Sequence, residues 1–192
     1  MQPRELCEVI RKTCAIQHWY GPDMHWPLPA AEDDPRRFGF TFSPVTEAQL
    51  SKAEEPLDCP LPSDLRALYS QIANGGFGPH YGLLRLIGDA SEIDRTVVEL
   101  YQECSEMHTF FDLDGQVQPG KDWTFADTTW PRHVLRICDE GCGNFICLHT
   151  TTGHILRVGI WDAHEYGLAS VADSLEAWLQ AWAEGLLSPQ RG

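Results

Sequence analysis

A chain of 192 residues, 43% hydrophobic and 22% charged, is long enough to bury its own core and too apolar to remain unfolded. Its 14 basic residues stand against 28 acidic ones, for a net charge of −14, which argues against binding nucleic-acid backbones or anionic membrane surfaces. The N-terminal MQPRELCEVIRKTC lacks the apolar run of a secretory peptide, and seven irregularly spaced cysteines give no disulfide framework, so a cytoplasmic protein is expected.

The first helix is expected around Arg4 to Cys14, where Leu6, Val9, Ile10 and Cys14 share one side. Ile16 to Pro44 is rich in proline, contains Trp19, Tyr20 and Trp26, and carries the acidic run Glu32-Asp33-Asp34. It reads as an irregular arm packed by its aromatics, with a flexible linker as the alternative. Residues 1–44 are therefore set apart as an extension, and 45–192 as the main domain. The clearest helix start follows: Thr46 as N-cap with Gln49 three residues on makes a capping box, and Val45 and Leu50 are placed as a hydrophobic staple.

A third helix has Pro62 in its first turn, puts Leu65, Leu68, Tyr69 and Ile72 on one face, and ends at Asn74-Gly75-Gly76. Tyr81 to Ile87 reads as a strand. A fourth helix is expected from near Ser91, aligning Ile93, Val97, Leu100, Tyr101 and Cys104. The period then changes. Trp123 to Thr129, His133 to Cys138, Asn144 to Thr150 and His154 to Ile160 read as antiparallel strands joined by tight turns. A final helix from about Asp173 carries the stripe Leu175, Trp178, Leu179, Trp182 and Leu186. Helices outside a mostly antiparallel or mixed sheet make a single α+β domain. The expected core is Leu65, Leu68, Tyr69, Ile72, Leu84, Ile137, Ile146, Leu148, Leu156, Val158, Leu175, Trp178 and Leu179.

Four features could carry chemistry. The glycine-rich Ala73 to Pro79 follows a helix instead of opening one and has no lysine after it, so it reads as a turn and not a phosphate cradle. Cys138, Cys142, Cys147 and His149 are zinc-ligand types, but their spacing fits no knuckle; buried structural thiols and no metal or cofactor are expected. Cys142, between two glycines, is the one candidate nucleophile, and no recognisable catalytic arrangement surrounds it, so the expectation is not an enzyme. The carboxylates are spread over Glu54, Glu55 and Asp58, over Glu92, Asp94, Glu99, Glu103 and Glu106, and over Asp162 and Glu165. They read as a solvated face whose negative field could steer a basic protein.

Three segments together resemble the SMI1/KNR4 (SUKH) superfamily: LPSDLRALYSQIANGGFGP with YGLLRL, HVLRICDEGCGNFICLHTTTGHILRV, and the closing SVADSLEAWLQAWAEGLL. The match spans roughly Val45 to Leu187. The resemblance implies an α+β domain and a non-catalytic binding role. In bacterial members that role is immunity, by binding and neutralising a cognate polymorphic toxin; in fungal members it is regulation and scaffolding. The expected partner is thus a protein, a basic toxin domain such as a nuclease; the alternative is a regulatory or scaffold protein with an endogenous partner. Rings and charges placed in loops, where a core role explains them least, are the expected partner-binding residues: Phe77, His80 and Tyr81, and Trp161, Asp162, His164, Glu165 and Tyr166 after the last strand.

Overall fold

A computed structural model describes residues 3–16, 42–57, 59–88, 95–106, 123–124, 133–141, 143–162 and 165–187. For 15–16, 105–106, 123–124, 159–162 and 165–168 it describes the backbone only. Most of the 16–44 arm, Asp58, Glu92, Asp94 and Cys142 lie outside the described residues.

Helix α1 runs Pro3–Ile16, α2 Glu47–Glu54, α3 Ser63–Gln71, α4 Val97–Glu106 and α5 Leu175–Ala183. The capping box at α2 is formed: Gln49 N–H donates to the Thr46 hydroxyl, and the Gln49 side chain accepts from the Thr46 N–H. Pro62 is the N-cap of α3, one residue ahead of its first turn. Helix α4 begins at Val97, later than the reading from Ser91. A second box sets this start, with Thr96 N–H donating to Glu99 and Glu99 N–H donating to the Thr96 hydroxyl. Ser174 caps α5 through the Ala177 N–H.

Among the described residues the sheet has five strands, β1 Trp123–Thr124, β2 Val134–Gly141, β3 Asn144–His149, β4 Ile155–Asp162 and β5 Glu165–Ala172, in the order β1-β5-β4-β3-β2 with every pairing antiparallel. The fold is α+β, as read from the sequence.

Two sequence readings are corrected here. Residues after Ile160 continue β4 and return as β5, so Trp161, Asp162, Glu165 and Tyr166 are strand ends of a hairpin and not a loop beyond the sheet. Tyr81 to Ile87 is not a strand; it makes a single bridge, Leu83 to Cys138. Its backbone groups are taken by other partners. Tyr69 Oη donates to the Leu84 carbonyl, Leu86 N–H donates to the Asn74 side chain, and Val97 N–H donates to the Arg85 carbonyl.

One face of the sheet meets the helices. Leu135, Leu148 and Ile155 lie side by side across β2, β3 and β4 and join a core with Leu65, Leu68, Tyr69, Leu175, Trp178 and Leu179. Of the expected core, Leu84 is only partly buried, and Leu156 and Val158 are buried on the sheet's opposite face, paired with Cys147 and Phe145. Helix α1 contributes Leu6, Cys7, Ile10 and Cys14 to the same core and packs on α3 and α5. A boundary at residue 45 therefore separates α1 from the residues it packs against. Among the described residues, no helix is long and apolar enough to cross a membrane.

Candidate functional site

The site grows out of the glycine turn after α3. Gly75 and Gly76 take φ of +88° and +79°, a region open to glycine at little cost. The Asn74 side chain then holds the returning chain, accepting from the Leu86 N–H and donating to the Ile87 carbonyl. Gly76 N–H bonds the Leu83 carbonyl and Leu83 N–H bonds that of Phe77, so residues 76–83 close into a small loop. With the Gly76 N–H so engaged, the turn reading stands over the phosphate cradle.

The loop docks on the outer edge of β2. Leu84 N–H donates to the Ile137 carbonyl at 2.8 Å, Tyr81 N–H to that of Asp139 at 3.4 Å, and the Cys138 thiol to that of Pro79 at 3.4 Å. This places the three expected residues differently. Phe77, 1% exposed, belongs to the core and is withdrawn as a surface contact: the turn points its ring inward, where burial removes apolar area from water. Tyr81 stays 42% exposed. His80 is half-buried beside it.

His80 carries φ of +54°, the single positive value at a non-glycine position among the described residues. For an L-residue that conformation costs roughly 1–2 kcal/mol. What holds it is Glu140 on β2, whose carboxylate lies 3.0 Å from His80 Nε2. The same carboxylate accepts both Nε and Nη2 of Arg157 on β4, each at 2.6 Å. Glu140's side chain is 8% exposed. Burial alone would raise its carboxyl, but the hydrogen bonds from His80 and Arg157, with their charges, bring it down to about 2. Neither Glu140 nor Arg157 was singled out from sequence. An arginine inside the apolar run Ile155 to Val158 was the available signal, since such a charge needs a partner to be buried.

The β2–β3 turn at Gly141 and Asn144 and the β4–β5 turn at Asp162 and Glu165 lie at the same end of an antiparallel sheet. The loop of His80 and Tyr81 docks at that end. The two expected groups thus share one end of the sheet, with β3 between them, while His164 and the side chains of Trp161, Asp162, Glu165 and Tyr166 lie outside the described residues.

The cysteine cluster does not converge. Cys138 pairs with Ile146, the neighbour of Cys147, so the two thiols point to opposite faces of the sheet. Burial pushes both thiols well above the usual value. Among the described residues no group of His, Cys, Asp and Glu is arranged to hold a metal. Several carboxylates read as a solvated face have internal work instead. Glu54 accepts from Arg66 and the Leu61 N–H, Glu99 caps α4, and Glu103 pairs with Arg95.

A family model described as SMI1 / KNR4 family (SUKH-1) matches residues 44–181, from the lead-in to α2 almost to the end of α5. The chain belongs to the SMI1/KNR4 (SUKH-1) family. Comparison with curated proteins finds none that matches. In this SMI1/KNR4 chain the matched stretch contains the glycine turn, the docked loop and the whole sheet, whereas α1 lies outside it and still shares the core.

Proposed function

We propose that this SMI1/KNR4 protein is an immunity protein, which binds a toxin domain in the cytoplasm and neutralises it by occupying its surface. The observation that carries the reading is an exposed tyrosine on a loop fixed to the sheet by a half-buried ion-pair cluster, in a chain of net charge −14. Fixed aromatic contacts supply affinity in protein interfaces, and a strong net charge speeds encounter with an oppositely charged partner. Burial raises Cys138 and Cys147 well above the usual range and takes Cys14 up to about 12, so they stay protonated and poorly nucleophilic.

The test is co-expression with a basic toxin domain, taken from an adjacent reading frame that encodes a large secreted protein ending in one. Cells making this chain should survive toxin induction, and survival should require stoichiometric amounts, as for a blocker without turnover. Unprotected cells would overturn the reading. An endogenous partner co-purifying in place of a toxin would put the regulatory or scaffold role in its stead.

A further inference from the structure

His80 sits where a glycine would be costless, between Gly78 at φ +109° and Gly82 at φ +83°, yet it keeps a side chain at φ +54°. A backbone outlier of this kind points to a role for the side chain it carries. Its imidazole ends on Glu140 Oε1, the same oxygen that accepts from Arg157 Nη2. The next residue, Tyr81, is held by its own N–H on the Asp139 carbonyl. Its ring lies so close to Gly141 that a Cβ there would come within 3.1 Å of the ring carbon and the hydroxyl. Contacts at Asp139, Glu140 and Gly141, all on β2, thus fix one tyrosine, and 42% of it remains open to solvent.

We propose that Tyr81 is the docking point for an arginine or lysine side chain of a basic protein partner, and that His80 is a positioning residue that holds it there through Glu140. The proposal rests on the immunity reading and deepens it by naming the contact. The chemistry follows from the ring and the charge. An exposed phenol ring attracts a cation to its face, arginine above all, and more strongly where water is excluded. A chain of net charge −14 draws basic surfaces to itself. Preorganisation adds affinity, because a tyrosine already fixed loses little freedom on binding.

The probe is a hexa-arginine peptide at fixed ionic strength, followed by NMR of labelled tyrosine rings and by calorimetry. The Tyr81 ring resonances should shift most. Tyr81→Ala should weaken binding at least fivefold, and Tyr81→Phe less than twofold. His80→Asn tolerates positive φ but is too short to reach Glu140; it should weaken binding about threefold with thermal stability little changed. In the Tyr81→Ala background it should have no further effect. Peptide shifts centred elsewhere, or Tyr81→Ala binding as the wild type does, would overturn the docking point. Additive losses in the double variant would make His80 a contact itself and overturn its positioning role. Should the toxin in co-expression go unprotected while the peptide maps to Tyr81, the immunity reading fails alone. Should Tyr81→Ala protect fully and bind the peptide unchanged, the docking point fails alone.

Discussion

Glu140 and Arg157 stand on strands separated by a third, yet their side chains meet in a two-pronged ion pair across it. A bulge between Asp139 and Gly141 makes this possible, since it leaves Glu140 outside the regular pairing with β3 and re-aims its side chain. The pair spans the sheet beneath the loop that carries Tyr81. Removing its negative half strands a half-buried guanidinium. Glu140→Gln is expected to cost about 2 kcal/mol, less than the roughly 3–5 kcal/mol found when one partner of a fully buried pair is lost. Urea unfolding measures it; a loss under ~0.5 kcal/mol would mean the cluster does not brace the sheet.

At the other end of the sheet, His133, His149 and His154 gather. Burial lowers the His149 imidazole below its usual 6.5, with the charges of His133 and His154 adding to the effect. Its Nδ1 accepts the Thr152 N–H, a bond that protonation there would remove. The unfolded chain therefore takes up this proton first as pH falls. The His149 contribution is complete above about 6.5 and declines below it. Glu140 has the same sign at lower pH, complete above its usual 4.5 and lost on the way to about 2. The urea midpoint should fall in two stages on acidification, with His149→Gln flattening the upper stage and Glu140→Gln the lower. A wild-type midpoint constant from pH 7 to 5 would contradict the first assignment.

Gly75 and Gly153 form a matched test of the turn. A Cβ at Gly75 would lie 2.7 Å from the Leu83 carbonyl oxygen, the Leu84 carbonyl carbon and the Arg85 nitrogen, all of them backbone atoms that cannot swing aside. At Gly153, with a similar φ of +80°, it would meet nothing within 4 Å. Gly153→Ala should cost about 1–2 kcal/mol from backbone strain alone, and Gly75→Ala at least ~2 kcal/mol more. Thermal unfolding of both variants decides it. Equal losses would mean that the close return of the chain is not what requires glycine at 75.

What the sequence made legible were the features written in neighbouring residues. The Thr46 and Gln49 box, the α3 face of Leu65, Leu68 and Tyr69, and the α5 stripe of Leu175 with Trp178 and Leu179 all rest on spacings of three or four. Strand β5 was less visible, because Gly167, Ala169, Ser170 and Ala172 have no large side chains to show an alternation. The false strand at Tyr81 to Ile87 has suitable residues, but Asn74 and the start of α4 take the backbone bonds a sheet would need. Phe77 looked like a loop aromatic, and only the two positive-φ glycines before it explain its turn into the core. The ion-pair cluster joins residues far apart in the chain, 60 positions between His80 and Glu140 and 17 between Glu140 and Arg157, so local pattern could not reveal it.

Helix α1 shares the core although it precedes the family match. Ile10, fully buried, touches the same cluster as Leu65 and Trp178. Ile10→Ala should cost ~2–5 kcal/mol and lower the stability of the whole unit in one transition. A second, separate transition, or a loss below ~1 kcal/mol, would make α1 an appendage after all.

The most direct measurement is the rate of association with the purified basic toxin domain against which the chain protects in the co-expression test, taken from low to high salt. With a net charge of −14 on this chain and a basic partner, the on-rate should fall steeply as salt passes ~0.15 M, where screening shortens to ~8 Å. The off-rate, set by the aromatic contact, should change far less, and the 1:1 complex should be inactive as a toxin. No complex with the active toxin domain at any salt concentration would contradict the immunity role itself; a tight complex whose on-rate ignores salt would contradict its electrostatic basis.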